Sequence, residues 1–132
     1  MEQPKMIDKL AWTPIKDRKI LFVRTKGQTV FYCAGGKREP GEEDEEALIR
    51  EIKEEVNVDL DRGSIKHIYT FFGPSHTGGQ MKMACYNAIG LGEPTPSSEI
   101  EELAWFSSAE KDRTTMMGRM ILELYKEYDL ID

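Results

Sequence analysis

The sequence predicts an α/β (α+β) fold, a mixed β-sheet packed between helices, in a single domain over residues 1–132. Three observations point there. Short β-branched and aromatic runs lie before, between and after two segments of helical periodicity, which is the pattern of a sheet covered by helices. The chain has 132 residues, enough for one hydrophobic core. Its 39% apolar and 32% charged content is that of an ordinary globular domain.

Asp8–Ile15 and Lys19–Arg24 are apolar-rich runs joined by Lys16-Asp17-Arg18, which reads as a hairpin or close strand pair. Thr29–Cys33 is a third strand, closed by Ala34-Gly35-Gly36 and followed by a loop through Pro40 and Gly41. Asp44–Val56 is the clearest helix, with Leu48, Ile49, Ile52 and Val56 on one apolar stripe. Acids crowd its first turn, where the helix dipole favours them, and Asp44 is placed to cap it. Asn57 suits the left-handed residue that ends a helix. Strands follow at Ile65–Phe72 and Lys82–Ile89, separated by a polar turn through Gly73–Gly79. After a loop at Pro94–Ser98 come a short strand, Leu103–Phe106, and a second helix, Thr114–Tyr128. That helix would bury Met117, Met120, Ile121, Leu124 and Tyr128.

Several function classes are disfavoured. Cys33 and Cys85 lack metal spacing and sit in apolar runs, as reduced core thiols do. His67 and His76 have no partner at zinc-ligand spacing. No apolar run approaches the roughly 18 residues of a membrane span, and the first residues lack a secretory apolar core. A cytoplasmic protein with no membrane partner is the expectation. The net charge of −6 opposes general affinity for a nucleic-acid polymer. Nearly all of that excess lies in Gly36–Val58, where nine acids face four bases.

Spacing gives that acidic run its interest. At about 100° per residue, Glu51, Glu54 and Glu55 share an arc of roughly 100° beside the apolar stripe. Like charges so placed repel, and Arg50 or a divalent cation would offset the repulsion. Hard oxygen donors select Mg²⁺, with Mn²⁺ as the alternative, and such a cation suits phosphoryl chemistry. A solvated helix face is the other reading of Glu51–Glu55 taken alone. The preceding loop adds Gly35-Gly36, which permits close approach of a ligand, and Lys37 and Arg38, which could meet phosphate.

GGKREPGEEDEEALIREIKEEVNV resembles the Nudix box, G-x5-E-x7-R-E-U-x-E-E-x-G-U with U aliphatic. Gly36, Glu42, Arg50, Glu51, Ile52, Glu54, Glu55 and Val58 match, eight of nine fixed positions. Asn57 stands where the family has glycine, a mild departure because asparagine tolerates the left-handed region. The box covers about a sixth of the chain, and the order of flanking elements is similar to a Nudix-type α/β/α sandwich.

By this resemblance the chain is a Mg²⁺-dependent hydrolase that cuts a pyrophosphate linkage in a small nucleoside diphosphate-linked substrate, as a monomer or homodimer. Glu51, Glu54 and Glu55 would be metal ligands, with the Gly36 backbone carbonyl and Glu42 as auxiliaries. Glu51 or its neighbour Glu54 would activate water, and Arg50 would orient the catalytic glutamate. Gly36 and Lys37 would meet the substrate. Arg24 is open between a phosphate contact and a plain surface arginine. Glu99, Glu101 and Glu102 are open between a further catalytic base and solvated loop acids. The substrate is open between an oxidised or ordinary nucleoside triphosphate, releasing monophosphate and pyrophosphate, and ADP-ribose or a nucleotide sugar. Pro74 bears weakly on the latter, since a Gly-Pro turn needs no other role. A Nudix-fold regulator that binds nucleotide without turnover usually loses box carboxylates, and here all are present.

Overall fold

The computed structural model describes residues 6–132. Its elements in chain order are β1 (Ile7–Trp12), β2 (Ile15–Lys16), β3 (Lys19–Thr25), β4 (Tyr32–Lys37), α1 (Asp44–Val56), β5 (Asp59–Leu60), β6 (Lys66–Pro74), β7 (Gln80–Asn87), β8 (Gly90–Leu91), β9 (Ile100–Phe106) and α2 (Met116–Glu127). Short 3₁₀ segments lie at Arg62–Ser64 and Ser108–Arg113.

The main sheet runs β2-β3-β4-β1-β7-β6, with β9 also paired to β3. It is mixed: β1 is antiparallel to β4 and parallel to β7. β5 and β8 form a separate small ladder. Alternation along the strands divides the core in two. Leu10, Trp12, Leu21, Val23 and Ala34 meet Leu48, Ile52 and Val56 of α1 on one face. Ala11, Phe22, Cys33, Met83 and Cys85 meet Met117, Ile121, Leu122 and Tyr125 of α2 on the other. β3 is buried at four consecutive positions, Ile20–Val23, because both of its faces are covered. The result is the α/β/α sandwich that the element order predicts.

The hairpin after β2 forms through Asp17 and Arg18, both at positive φ, the backbone of a two-residue turn. Its strands are the short β2 and β3; β1 turns away at Thr13-Pro14 and pairs instead with β4 and β7. The Thr13 hydroxyl, fully buried, meets the Tyr125 hydroxyl at 2.7 Å and ties the end of β1 to α2.

Several local expectations change. β4 begins at Tyr32 rather than Thr29, and Ala34-Gly35-Gly36 continue the strand instead of closing it. They do so because Trp12, Ala11 and Leu10 supply ladder partners across the strand gap. Asn57 does end α1 in the left-handed region, but Glu43 is the N-cap, its N–H donating to Glu46 at 3.0 Å. Asp44 is drawn away by the Tyr86 hydroxyl at 2.5 Å and by Arg38. Glu101 and Glu102 belong to strand β9, not to a loop. Tyr128 is 67% exposed at the cap of α2, off the Met117–Ile121–Tyr125 phase that faces the core.

Gly35 has a φ of +149°, and a Cβ there would overlap the Leu10 carbonyl oxygen. Gly35→Ala should therefore destabilise by about 3 kcal/mol or more, combining strain at a glycine-type backbone with a steric clash. Ile52→Ala, at a fully buried position, should cost about 2–5 kcal/mol. Urea midpoints check both, and a Gly35→Ala midpoint equal to wild type would show that β1 and β4 are not so closely apposed.

Candidate active site

Helix α1 crosses β4 so that its Arg50–Glu55 segment lies against the glycines of the strand. Arg50 is the hub. Its Nε and Nη2 donate to both oxygens of Glu42 at 2.8 and 2.9 Å, a bidentate pair. Nη1 donates to Glu51 at 2.9 Å and lies 3.5 Å from Glu54, while Nη2 also reaches the Lys37 carbonyl at 3.1 Å. The Arg50 hydrogen bonds hold the Glu42 carboxyl down at about 2, and the Glu39 amide, donating at 2.7 Å, adds to the shift. One guanidinium thus joins the loop after β4, the end of that strand and the exposed edge of α1.

Glu51 lies against the strand. A Cβ at Gly36 would overlap its carboxyl group, so glycine there makes room for the carboxylate. Glu55 is the more buried acid and accepts from the Gly35 N–H at 2.8 Å. Burial pushes its carboxyl up to about 8, with Glu51 and Glu54 adding to the rise. The Gly35 amide and the Lys9 ammonium pull the other way. Glu54 is 54% exposed against 16% for Glu51. Among the described residues no three of these acids converge as a ready metal cage. Each carboxylate is held by a protein partner: Glu51 and Glu54 by Arg50, Glu55 by Gly35. The donor chemistry nonetheless fits a hard divalent cation. Three carboxylates adjoin, and one of them is desolvated beside like charges that a cation would neutralise.

Beside Glu55 and Gly36 opens a cavity of about 260 Å³ on the α2 side of the sheet. Cys33, Met81, Met83, Met117 and Ile121 give it an apolar floor. Lys9, Thr25, Gln28 and Tyr32 also line it, as do Ser75–Thr77 and Thr115. The Thr25 and Tyr32 hydroxyls hydrogen-bond to each other. Burial raises the Tyr32 phenol, and the charges of Glu55, Glu99 and Glu51 add to it.

The structure thus brings together Gly36, Lys37, Glu42, Arg50, Glu51, Glu54 and Glu55. Arg24 lies outside the lining of this cavity. Its guanidinium is taken up by Glu102 at 3.0 and 3.1 Å, by the Gln28 carbonyl at 3.0 Å and by Glu101 at 3.6 Å. Glu101 and Glu102 are thereby committed to Arg24. Cavity residues such as Lys9, Tyr32 and His76 are not marked by any motif. Only Lys9 carries a sequence signal, as a charge between Ile7 and Ala11 on an otherwise apolar strand face.

A family model of the NUDIX domain matches residues 10–121, and the chain belongs to the Nudix family. Among solved structures it is similar to a MutT NUDIX hydrolase from Burkholderia pseudomallei, at 26% identity and a TM-score of 0.73 over 92% of this chain and 98% of that one. A NUDIX hydrolase from Nitrosomonas europaea shares the fold at 20% identity and a TM-score of 0.75, covering 93% and 90% of the two chains. So does a bifunctional NMN adenylyltransferase/ADP ribose pyrophosphatase from Francisella tularensis, complexed with AMP and a manganese ion, at 20% identity and a TM-score of 0.72. This chain is 97% covered in that match but spans 43% of the larger protein. No curated protein matches the chain. No helix among the described residues is long and apolar enough to cross a membrane.

The metal-free protein should show Glu55 in its stability. Unfolded, this carboxyl ionises near 4.5; folded, near 8. Between those values the folded chain holds a proton that the unfolded chain has lost. The associated stability is fully present below pH 4.5 and is lost as the pH rises through 8. Glu55→Gln keeps an acceptor for Gly35 and does not titrate. In chelator-containing buffer its urea midpoint should gain on wild type between about pH 5 and about pH 9, and a constant gap across that range would contradict the assignment.

Proposed function

We propose that the chain is a Mg²⁺-dependent pyrophosphohydrolase, with Mn²⁺ able to substitute, that cuts the pyrophosphate linkage of a small nucleoside diphosphate-linked substrate. A nucleoside triphosphate, ordinary or oxidised, split to monophosphate and pyrophosphate, is the substrate we favour. The observation that carries this reading is the Glu51–Glu54–Glu55 edge of α1, organised by Arg50, whose Glu55 also lines the cavity.

Glu51, Glu54 and Glu55 would hold the cation, with the Gly36 carbonyl and Glu42 as further oxygens. When bound, the cation neutralises phosphate oxygens and lowers the pKa of an attacking water. The chain's own groups do the rest. The water oxygen bonds to phosphorus as the bridging P–O bond breaks, and Glu51, or Glu54 beside it, takes the water's proton. Arg50 fixes the Glu51 carboxylate by its 2.9 Å hydrogen bond and so acts as a positioning residue. Lys37 and the glycine backbone flank the phosphates, and the apolar floor of the cavity accepts a planar base. Glu99 precedes β9 and, unlike Glu101 and Glu102, is not paired with Arg24, so it is the acid outside the box we retain as a candidate to assist. Arg24, held by Glu102, is not included in the phosphate site. Ser75–Thr77 follow Pro74 in the β6–β7 turn, and Pro74 needs no role beyond that turn.

The test is a screen of nucleoside triphosphates, oxidised nucleotides, nucleotide sugars, ADP-ribose and dinucleoside polyphosphates with Mg²⁺, with products identified. Glu51→Gln should lower kcat by about 10²–10⁴-fold as loss of a proton acceptor. Arg50→Ala should lower activity about 10–100-fold through misorientation. Glu54→Gln and Glu55→Gln should raise the Mg²⁺ requirement; variants that hydrolyse the whole panel as fast as the parent would remove the metal assignment.

A further inference from the structure

Lys9 is a half-buried cation whose ammonium is in no ion pair among the described residues. It sits on the face of β1 that carries Ile7 and Ala11, both packed into the α2-side core. In the antiparallel ladder it stands directly opposite Lys37, and on the parallel side it is level with Met83. Two like charges in direct register destabilise a sheet. Neither ammonium makes an ion pair or hydrogen bond among the described residues. Lys9 is half-buried, and burial first and Lys37 second hold its ammonium below the ordinary lysine range, against the opposing pull of Glu55 and Glu51. Among the described residues it is also the only lysine or arginine lining the cavity, which Glu55 and Gly36 share.

Resting on the pyrophosphohydrolase reading, we propose that Lys9 is a substrate-positioning residue that pairs with Lys37 across the strand gap to grip the phosphate chain where it leaves the cavity for the carboxylate edge. A neutral ligand in the cavity would leave the Lys9–Lys37 repulsion in place. A phosphate relieves it, because its oxygens accept charge-assisted hydrogen bonds from both ammonium groups at once. The competing role is purely local: Lys9 as a stand-in counter-ion for Glu55 and Glu51 that contributes nothing to substrate.

Calorimetric titration of inorganic pyrophosphate into the protein at saturating Mg²⁺ separates the two. Lys9→Gln should bind pyrophosphate about tenfold more weakly, the loss of one charge-assisted hydrogen bond, while Lys9→Arg stays near wild type. Mg²⁺ titrated alone should bind Lys9→Gln no more weakly than wild type, since a nearby positive charge has been removed. Both variants should keep the wild-type thermal midpoint or exceed it, because each relieves or preserves the like-charge pair and neither removes an apolar group from the core. With whichever nucleotide the screen identifies, Lys9→Gln should raise KM about tenfold and change kcat less. Unchanged pyrophosphate affinity in Lys9→Gln, or no pyrophosphate binding by wild type, overturns the proposal. If no nucleotide is hydrolysed yet Lys9→Gln still weakens pyrophosphate, the hydrolase reading fails and the anion site stands. If nucleotide is hydrolysed with an unchanged KM and unchanged affinity in Lys9→Gln, the Lys9 assignment fails alone.

Discussion

The carboxylate edge of this protein depends on the Arg50 guanidinium. Its N–H donors, set in a fixed fork, are shared among Glu42, Glu51, Glu54 and the Lys37 carbonyl. Without them the loop after β4 would lose its tie to the middle of α1, and these three carboxylates would stand close together uncompensated. The bidentate pair with Glu42 fixes the loop, and the bond to Lys37 fixes the strand end. The bond to Glu51 then sets the direction of the acid that matters most for the proposed chemistry. A lysine could supply the charge but not this geometry, since a single ammonium cannot make a planar fork to Glu42 and still reach the others.

The second constraint is the absence of side chains at Gly35 and Gly36. The metal-ligand candidates belong to α1, on one face of the sheet, while the cavity opens on the α2 face. An ordinary strand would separate the two with a row of side chains. Here Gly36 admits the Glu51 carboxyl group and Gly35 offers its N–H to Glu55. The glycines thus let the carboxylate edge and the cavity share one border. The same closeness keeps Glu55 desolvated and next to Glu51, so its charge is costly until something positive approaches. In the proposed function, a cation bound at this edge would offset that cost.

The framework, and the placement of one acidic segment beside the core face of its helix, are legible in the chain itself. Helical phase placed Leu48, Ile52 and Val56 on the core face of α1, and the spacing of Glu51, Glu54 and Glu55 placed them beside it. Gly36 and Arg50 were legible because a tight glycine approach and an arginine among acids each have a local physical reason. The end of α1 at Asn57 was legible for the same reason, a backbone preference confined to one residue. Where Tyr86 or Trp12 competed for a partner, local rules failed. Asp44 left the cap for the Tyr86 hydroxyl, and Ala34–Gly36 stayed in a strand because β1 lay alongside.

Which distant residues meet was settled by the folded sheet alone. Lys9 opposite Lys37 and the Ser75–Thr77 turn beside a floor of methionines join segments far apart in the chain. The fold also committed Arg24 to Glu102 rather than leaving it free for a ligand. The division has a simple cause. Helical phase, capping and metal-type spacing act over a few residues and are written in order along the chain. The cavity is made by strand pairing and sheet register, which join residues whose neighbours in sequence say nothing about one another.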